Sequence, residues 1–209
     1  MEKDGPLSES TKLANGVWRM QGTIPINDCL DTIWDVVSDY KGMTDTFPYI
    51  SAVQMMETEG KRSRVRTVSE MKFPHGMSVS TKLVLDYFEK DVEKKPEGIA
   101  RRLEFRQVEG DFESLRGRWS IEQITKGRSS EVVDPKSILK YTIEFKPKPW
   151  IPFHYVEGTI VNIVASNVVC VKNKITRRAD IRASARAKSS MVALPRMMSF
   201  LSCYALALK

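Results

Sequence analysis

The chain predicts an α+β domain in which a curved antiparallel sheet of about six to seven strands wraps around one long C-terminal helix, with a short helical insertion after the first strand. Three observations carry this. Most of residues 17–145 alternate between apolar and polar side chains, the period of half-buried strands. The alternation is broken once, by a stretch with helical spacing over residues 27–49. Finally, WIPFHYVEGTIVNIVASNVVCVKNKI (150–175) is apolar on nearly every side at helical spacing, so it needs a surface to close against.

In chain order, residues 17–26 place Trp18, Met20, Gly22, Ile24 and Ile26 on one parity and Arg19 and Gln21 on the other, which makes the first strand. Asn27 or Asp28 can cap a helix carrying Leu30, Ile33, Trp34 and Val37 that stops near Gly42. A short helical turn follows over 44–49, ended by Pro48. A short strand is expected around 51–56. Val65, Thr67, Ser69, Met71 and Phe73 then oppose Arg64, Arg66, Glu70 and Lys72, and after a turn at 74–76 Met77, Val79, Thr81, Leu83, Leu85 and Tyr87 oppose Ser78, Ser80, Lys82 and Asp86. The polar stretch 90–98 reads as a turn. Three more strands follow, with Leu103 and Phe105, then Leu115, Gly117, Trp119 and Ile121, then Leu139, Tyr141, Ile143 and Phe145 facing inward. Pro147, Pro149 and Pro152 forbid helix upstream of the last element, and Pro152 suits its first helical position. Ile160, Val164, Val168, Val171 and Ile175 form the inner stripe of that helix.

The order of elements and four local motifs resemble the START-like, or helix-grip, superfamily (SRPBCC), and within it the polyketide cyclase/dehydrase branch that includes coenzyme Q-binding proteins. The motifs are IPINDCLDTIWDVVSDYKGMTDTFPYI (24–50), RRLEFRQVEGDFESLRGRWSIEQI (101–124), LKYTIEFKPKPWIPF (139–153) and EGTIVNIVASNV (157–168). The resemblance implies three segments: a flexible N-terminus (1–15), a helix-grip domain (16–178) and a C-terminal extension (179–209). It also implies an apolar pocket between sheet and final helix, used by different relatives for lipids, isoprenoid quinones, sterols, pigments or polyketides. A fold does not choose among these.

The residues add detail. Thr67, Ser69, Thr81 and Tyr141 put hydroxyls on the inward parity, Asn167 can join them from the helix, and Leu83, Phe105, Trp119, Ile143, Ile160, Val164 and Val168 complete a candidate ligand site. A few hydrogen-bonding groups in an apolar cavity suit a ligand with a greasy body and one oxygenated head. The commoner roles for such residues are backbone or buried-water bonding for Thr and Ser and core packing for Trp119. Phe47, Pro48 and Tyr49 lie where the resemblance puts the rim of the pocket, as a gate or as a plug packed on the sheet.

Binding is favoured over catalysis. There are two histidines, His75 in a turn and His154 early in the final helix, and neither has a sequence partner. No nucleophile elbow, metal spacing or phosphate loop occurs, so no metal or cofactor is expected. Glu104 has outward parity and Glu157 sits in the first turn of a helix, where a carboxylate suits the dipole. Tyr141 is the best acid-base group facing the pocket, and a cyclase/dehydrase-type enzyme using pocket hydroxyls or carboxylates is the alternative reading, beside a protein-interaction domain with a filled core. Cys29, Cys170 and Cys203 lack paired spacing, which excludes a disulfide framework.

The net charge of +7 is local: residues 172–188 carry +6, Arg196 and Lys209 add two more, and residues 1–171 sum to −1. Basic residues followed by the apolar stretch 191–208 are the arrangement of a membrane-surface anchor. Pro195 and Arg196 interrupt that stretch, which favours a surface-lying helix over a span. A disordered or loosely docked extension is the alternative. Nucleic acid is disfavoured because no aromatics interleave with the arginines. The first ten residues carry no apolar h-region and several acids, so secretion is not expected. Cytoplasm or plastid is the expected location, plastid on the strength of the resemblance.

Overall fold

The structure, a computed structural model, describes residues 5–72, 78–125, 136–149 and 153–204, with side chains described except at 72, 153–156 and 186–204. The chain divides into two compact units, Met1–Lys172 and Asn173–Lys209. The first contains β1 (Leu7–Lys12), one 3-10 turn (Ala14–Gly16), β2 (Trp18–Ile26), α1 (Leu30–Val37), α2 (Met43–Thr46), β3 (Ile50–Glu59), β4 (Arg62–Lys72), β5 (Ser78–Glu89), β6 (Glu93–Lys95), β7 (Gly98–Gly110), β8 (Ser114–Ile124), β9 (Lys136–Lys146) and the first part of α3 (Phe153–Tyr204). The second consists of the rest of α3 and the residues after it.

The strands form one antiparallel sheet in the order β1-β2-β9-β8-β7-β5-β4-β3, with β6 paired to β7 beside that path. The α+β helix-grip architecture therefore stands, but among the described residues the sheet has nine strands instead of six to seven. Both additions were illegible for the same reason. LSESTK of β1 is exposed along its whole length, and EKK of β6 likewise, so neither has an apolar parity to betray it. Composition alone places Leu7–Lys12 in a flexible N-terminus and Glu93–Lys95 in a turn. β1 is fixed by its ladder to β2, and Ser10 Oγ donates to Glu157 Oε1 at 3.0 Å, tying it to the start of α3.

The inner parity is as expected. Met20, Ile24, Leu103, Ile121, Leu139 and Phe145 are almost fully buried, as are Val164, Val168 and Val171 of α3. Gly22 makes the helix seat possible: a Cβ there would lie 2.8 Å from the Val164 carbonyl oxygen, so β2 and the α3 backbone touch where a side chain would separate them.

α1 buries Leu30, Ile33, Trp34, Val36 and Val37. Its cap differs from the expected Asn27 or Asp28. Cys29 occupies the cap position without a side-chain cap bond, while Asp28 Oδ1 accepts from the Cys29 N–H at 2.8 Å and Gln123 Oε1 of β8 accepts from the Leu30 N–H at 2.7 Å. A side chain distant in sequence thus satisfies a first-turn donor, which local pattern cannot reveal. Gln123→Ala should lower stability by about 1 kcal/mol in urea unfolding, the usual value of a cap. An unchanged midpoint would mean that water replaces the glutamine at no cost.

The turn at 74–76, with Phe73, His75 and Met77, lies outside the described residues, as do Trp150 and Pro152. So do the side chains of His154, Pro195, Arg196 and Cys203 and the other side chains of the stretch 191–208. Cys29 and Cys170 are free thiols. Among the described residues no group of histidine, cysteine and carboxylate side chains is placed to hold a metal, and no helix is long and apolar enough to cross a membrane.

Candidate functional site

A cavity of about 140 Å³ lies inside the first unit, between the inner sheet face, α2 with the segment after it, and α3. Its floor follows from register. Tyr141 of β9 pairs with Trp119 of β8, Phe105 of β7 pairs with Gly117 of β8, and Tyr87 of β5 pairs with Phe105, so inward aromatics occupy adjoining positions on four strands. Their rings form a continuous series: Tyr87–Phe105 at 5.6 Å between centroids, Phe105–Tyr141 at 6.0 Å, Tyr141–Trp119 at 4.2 Å and Trp119–Phe47 at 6.1 Å. Gly117 permits it, because a Cβ there would strike the Phe105 ring and sit 2.5 Å from the Thr142 carbonyl oxygen.

β4 and β5 supply a hydroxyl patch. Ser69 and Thr81 are cross-strand partners, and Thr67 pairs with Leu83 one step along the same face; the three hydroxyl residues are buried and line the cavity with Leu83. From α3, Ile160, Val164 and Asn167 line it, and Ile143 of β9 completes the wall. Of the sequence-predicted ligand residues, only Val168 lies elsewhere. It is fully buried but rotated about 100° around the helix from Asn167, which turns it from the cavity into the core.

The predicted gate divides by parity. Phe47 and Tyr49 line the cavity, whereas Pro48 between them is exposed and does not. Phe47 has extended backbone angles, so successive side chains there point to opposite sides. The pattern F-P-Y showed this alternation, but the notion of a three-residue gate hid it.

The polar pole of the cavity is Asn167, 3% exposed. Its Oδ1 accepts from Tyr49 Oη at 2.6 Å, and the Tyr141 side chain lines the same part of the cavity. Burial pushes the Tyr49, Tyr87 and Tyr141 hydroxyls well above the ordinary phenol range, and the neighbouring phenol of Tyr141 pushes Tyr49 and Tyr87 further. These phenols therefore stay protonated at neutral pH and act as hydrogen-bond donors. Among the described residues the lining contains no carboxylate, lysine, arginine, histidine or cysteine. Glu104 instead pairs with Lys90 on the outer face at 3.1 Å, and Glu157 accepts from Ser10. Sequence reasoning passed over Met43, Ile50, Met71, Leu85, Tyr87, Phe112, Leu115 and Ile163, which also line the cavity. Met71, Leu85, Tyr87 and Leu115 are legible as inward residues.

The chain is similar in fold to solved START-type structures. A STAR-related lipid transfer protein from Xanthomonas axonopodis is 12% identical with a TM-score of 0.56, covering 81% of this chain and 98% of its own. A START superfamily protein from Mycobacterium smegmatis is 16% identical with a TM-score of 0.55 (76% and 97% covered), and the Zhui aromatase/cyclase from Streptomyces sp. R1128 is 18% identical with a TM-score of 0.55 (80% and 96% covered). At such identities the likeness is one of fold. No curated protein sequence matches the chain. The model of one family, described as polyketide cyclase / dehydrase and lipid transport, matches residues 29–161, from the start of α1 through the cavity-facing opening of α3. With well over half of its length so matched, the chain belongs to the polyketide cyclase/dehydrase and lipid transport family.

Proposed function

We propose that this protein binds and carries a hydrophobic small molecule whose single ring bears an oxygen, such as a quinone-like or phenolic lipid, and that it does so at a membrane surface. The observation that carries this reading is a cavity whose described lining has no charged side chain and which faces the Tyr49–Asn167–Tyr141 group with a hydroxyl patch on its other wall. Its volume of about 140 Å³ is close to that of engineered apolar cavities that hold benzene, so it accommodates one six-membered ring and not a whole lipid. A long tail has to leave the cavity, and Phe47 and Tyr49 are the side chains placed to yield. The stacked floor of Phe105, Tyr141 and Trp119 suits a flat ring, and the protonated phenols suit an acceptor oxygen on it.

Native mass spectrometry of gently purified protein, followed by organic extraction, tests this. One ring-bearing apolar molecule per chain is the expected result. Protein that stays empty after incubation with total lipid extract would leave a filled core used for protein contacts as the better account.

A second reading, chemistry on a polyketide-like substrate, is favoured only by the three phenols aimed at one cavity. Tyr141→Phe separates the two. It should weaken ligand binding by about tenfold, one charge-free hydrogen bond with its burial penalty, and reveal no turnover to lose. Turnover destroyed at unchanged affinity would establish catalysis instead.

The membrane component rests on the second unit. Arg177, Arg182 and Ile181 are exposed there, Ile181 at 69%, and the sequence beyond is apolar. Removing residues 179–209 should leave the circular dichroism of the sheet intact and reduce sedimentation with anionic liposomes several-fold. Equal sedimentation of both forms would dismiss the anchor.

A further inference from the structure

The outer face of the sheet, opposite the cavity, carries an imbalance of charge that neither stability nor the cavity explains. Register places Glu57, Arg64, Asp86, Arg106, Arg116, Glu144 and Arg19 in one row across β3, β4, β5, β7, β8, β9 and β2. The two inner carboxylates of that row are each shared by two arginines. Asp86 accepts from Arg64 at 2.7 and 3.0 Å and lies 3.4 Å from Arg62, and Glu144 accepts from Arg19 at 2.8 Å and from Arg116 at 2.8 Å. Hydrogen bonds from Arg64 hold the Asp86 carboxyl below the usual range against the opposing effect of its burial, and both remain ionised partners at neutral pH.

Arg106 is left between them. It stands directly opposite Arg116, a like-charge pair that costs a sheet stability, and its recorded partner is the Phe88 ring, 5.0 Å from guanidinium carbon to centroid. Arg118 lies two positions along β8 on the same face. The carboxylate opposite it, Glu104, is taken by Lys90 at 3.1 Å. Among the described residues no carboxylate pairs with Arg106 or Arg118. These side chains line a groove of about 500 Å³, in which four cations face two carboxylates that are already engaged.

We propose that this groove is a second binding site, for a phosphate-type dianion, held by Arg106 and Arg118 with Arg116 beside them. The guanidinium fork matches phosphate oxygens in pairs, and a dianion bridging facing arginines turns their repulsion into attraction. Such an anion comes either free in solution or as the headgroup of an anionic lipid, and both present the same oxygens.

Binding is read at constant ionic strength, set with chloride, using inorganic phosphate and pyrophosphate by calorimetry and phosphatidylcholine vesicles with and without phosphatidate by sedimentation. The full-length chain is compared with Arg106→Gln, Arg106→Lys and, as a control from the same face, Arg66→Gln, whose guanidinium contacts Gln54 at 3.4 Å. Saturable binding of either soluble anion that falls at least about tenfold in Arg106→Gln, less in Arg106→Lys and not in Arg66→Gln supports a free-anion site. The same ranking with phosphatidate vesicles alone supports a headgroup site. In either case the bound anion should raise the melting temperature of the unaltered chain and not that of Arg106→Gln. No saturable binding of any of the three probes, or an equal loss in Arg66→Gln, would overturn the proposal. Because the cavity opens on the other face, these results are independent of what it binds.

Discussion

Gly22→Val should be strongly destabilising, and Gly22→Ala should already cost about 1 to 3 kcal/mol of stability, the range of overpacked cores. Most glycine-to-alanine changes are mild because a side chain somewhere can move. Here the nearest atoms to the added Cβ are backbone: the Val164 carbonyl oxygen at 2.8 Å, its carbonyl carbon at 3.3 Å and the Ala165 Cα at 3.5 Å. Relief requires α3 to withdraw from β2. Val164 and Asn167 line the cavity on that part of α3, so the same withdrawal should enlarge the site and weaken ligand binding. Gly158 provides the matched control. It is an exposed residue of the same helix with open space where its Cβ would go, and Gly158→Ala should stabilise by about 0.5 to 1 kcal/mol through helix propensity. Urea unfolding of the two variants should therefore move in opposite directions. If both move the same way, the close approach of helix and strand is not what Gly22 provides.

The same position shows where sequence reading reaches and where it stops. Alternation assigned Gly22 to the inner parity, but only the register, which sets it opposite Tyr141, and the path of α3 show that the helix backbone rests on it. Strands with one apolar face were legible because burial of one parity leaves a period of two. β1 and β6 were not, since the ladder fixes them and exposed ladders leave no mark on composition. The Gln123 cap was hidden because its partner is in another element. The inward residues of the central strands that line the cavity were legible, because a concave sheet sends them to one volume, whereas Met43, Ile50 and Phe112, from the helical insertion, the start of β3 and the turn after β7, were not. Val168 and Pro48 were misplaced by a rotation of a single residue, in a helix and in an extended segment respectively. That Arg106 and Arg116 face one another on the outer face depends on a register that the sequence of either strand alone does not contain.

Asn167→Leu should then produce the largest effect on ligand choice. The two side chains share the same branching and heavy-atom count, so the substitution replaces the polar amide by two bulkier methyl groups in the same place. In the unliganded protein it deprives Tyr49 Oη of an acceptor at 2.6 Å, at an expected cost of about 1 to 3 kcal/mol for a stranded buried hydroxyl. Affinity should separate by ligand chemistry. A ring bearing a carbonyl or hydroxyl loses the oriented Tyr49–Asn167–Tyr141 cluster and should bind at least about tenfold more weakly, while a hydrocarbon ring of equal size keeps every apolar contact and should bind as well or better. Tyr49→Phe combined with Asn167→Leu should be less destabilising than the sum of the two single changes, because removing both partners leaves less stranded polarity than removing one. Were the two ligands to lose affinity equally, or the double variant to be strictly additive, Asn167 would be a packing residue, and the selectivity of the cavity would have to come from the Ser69, Thr81 and Thr67 hydroxyls on the opposite wall.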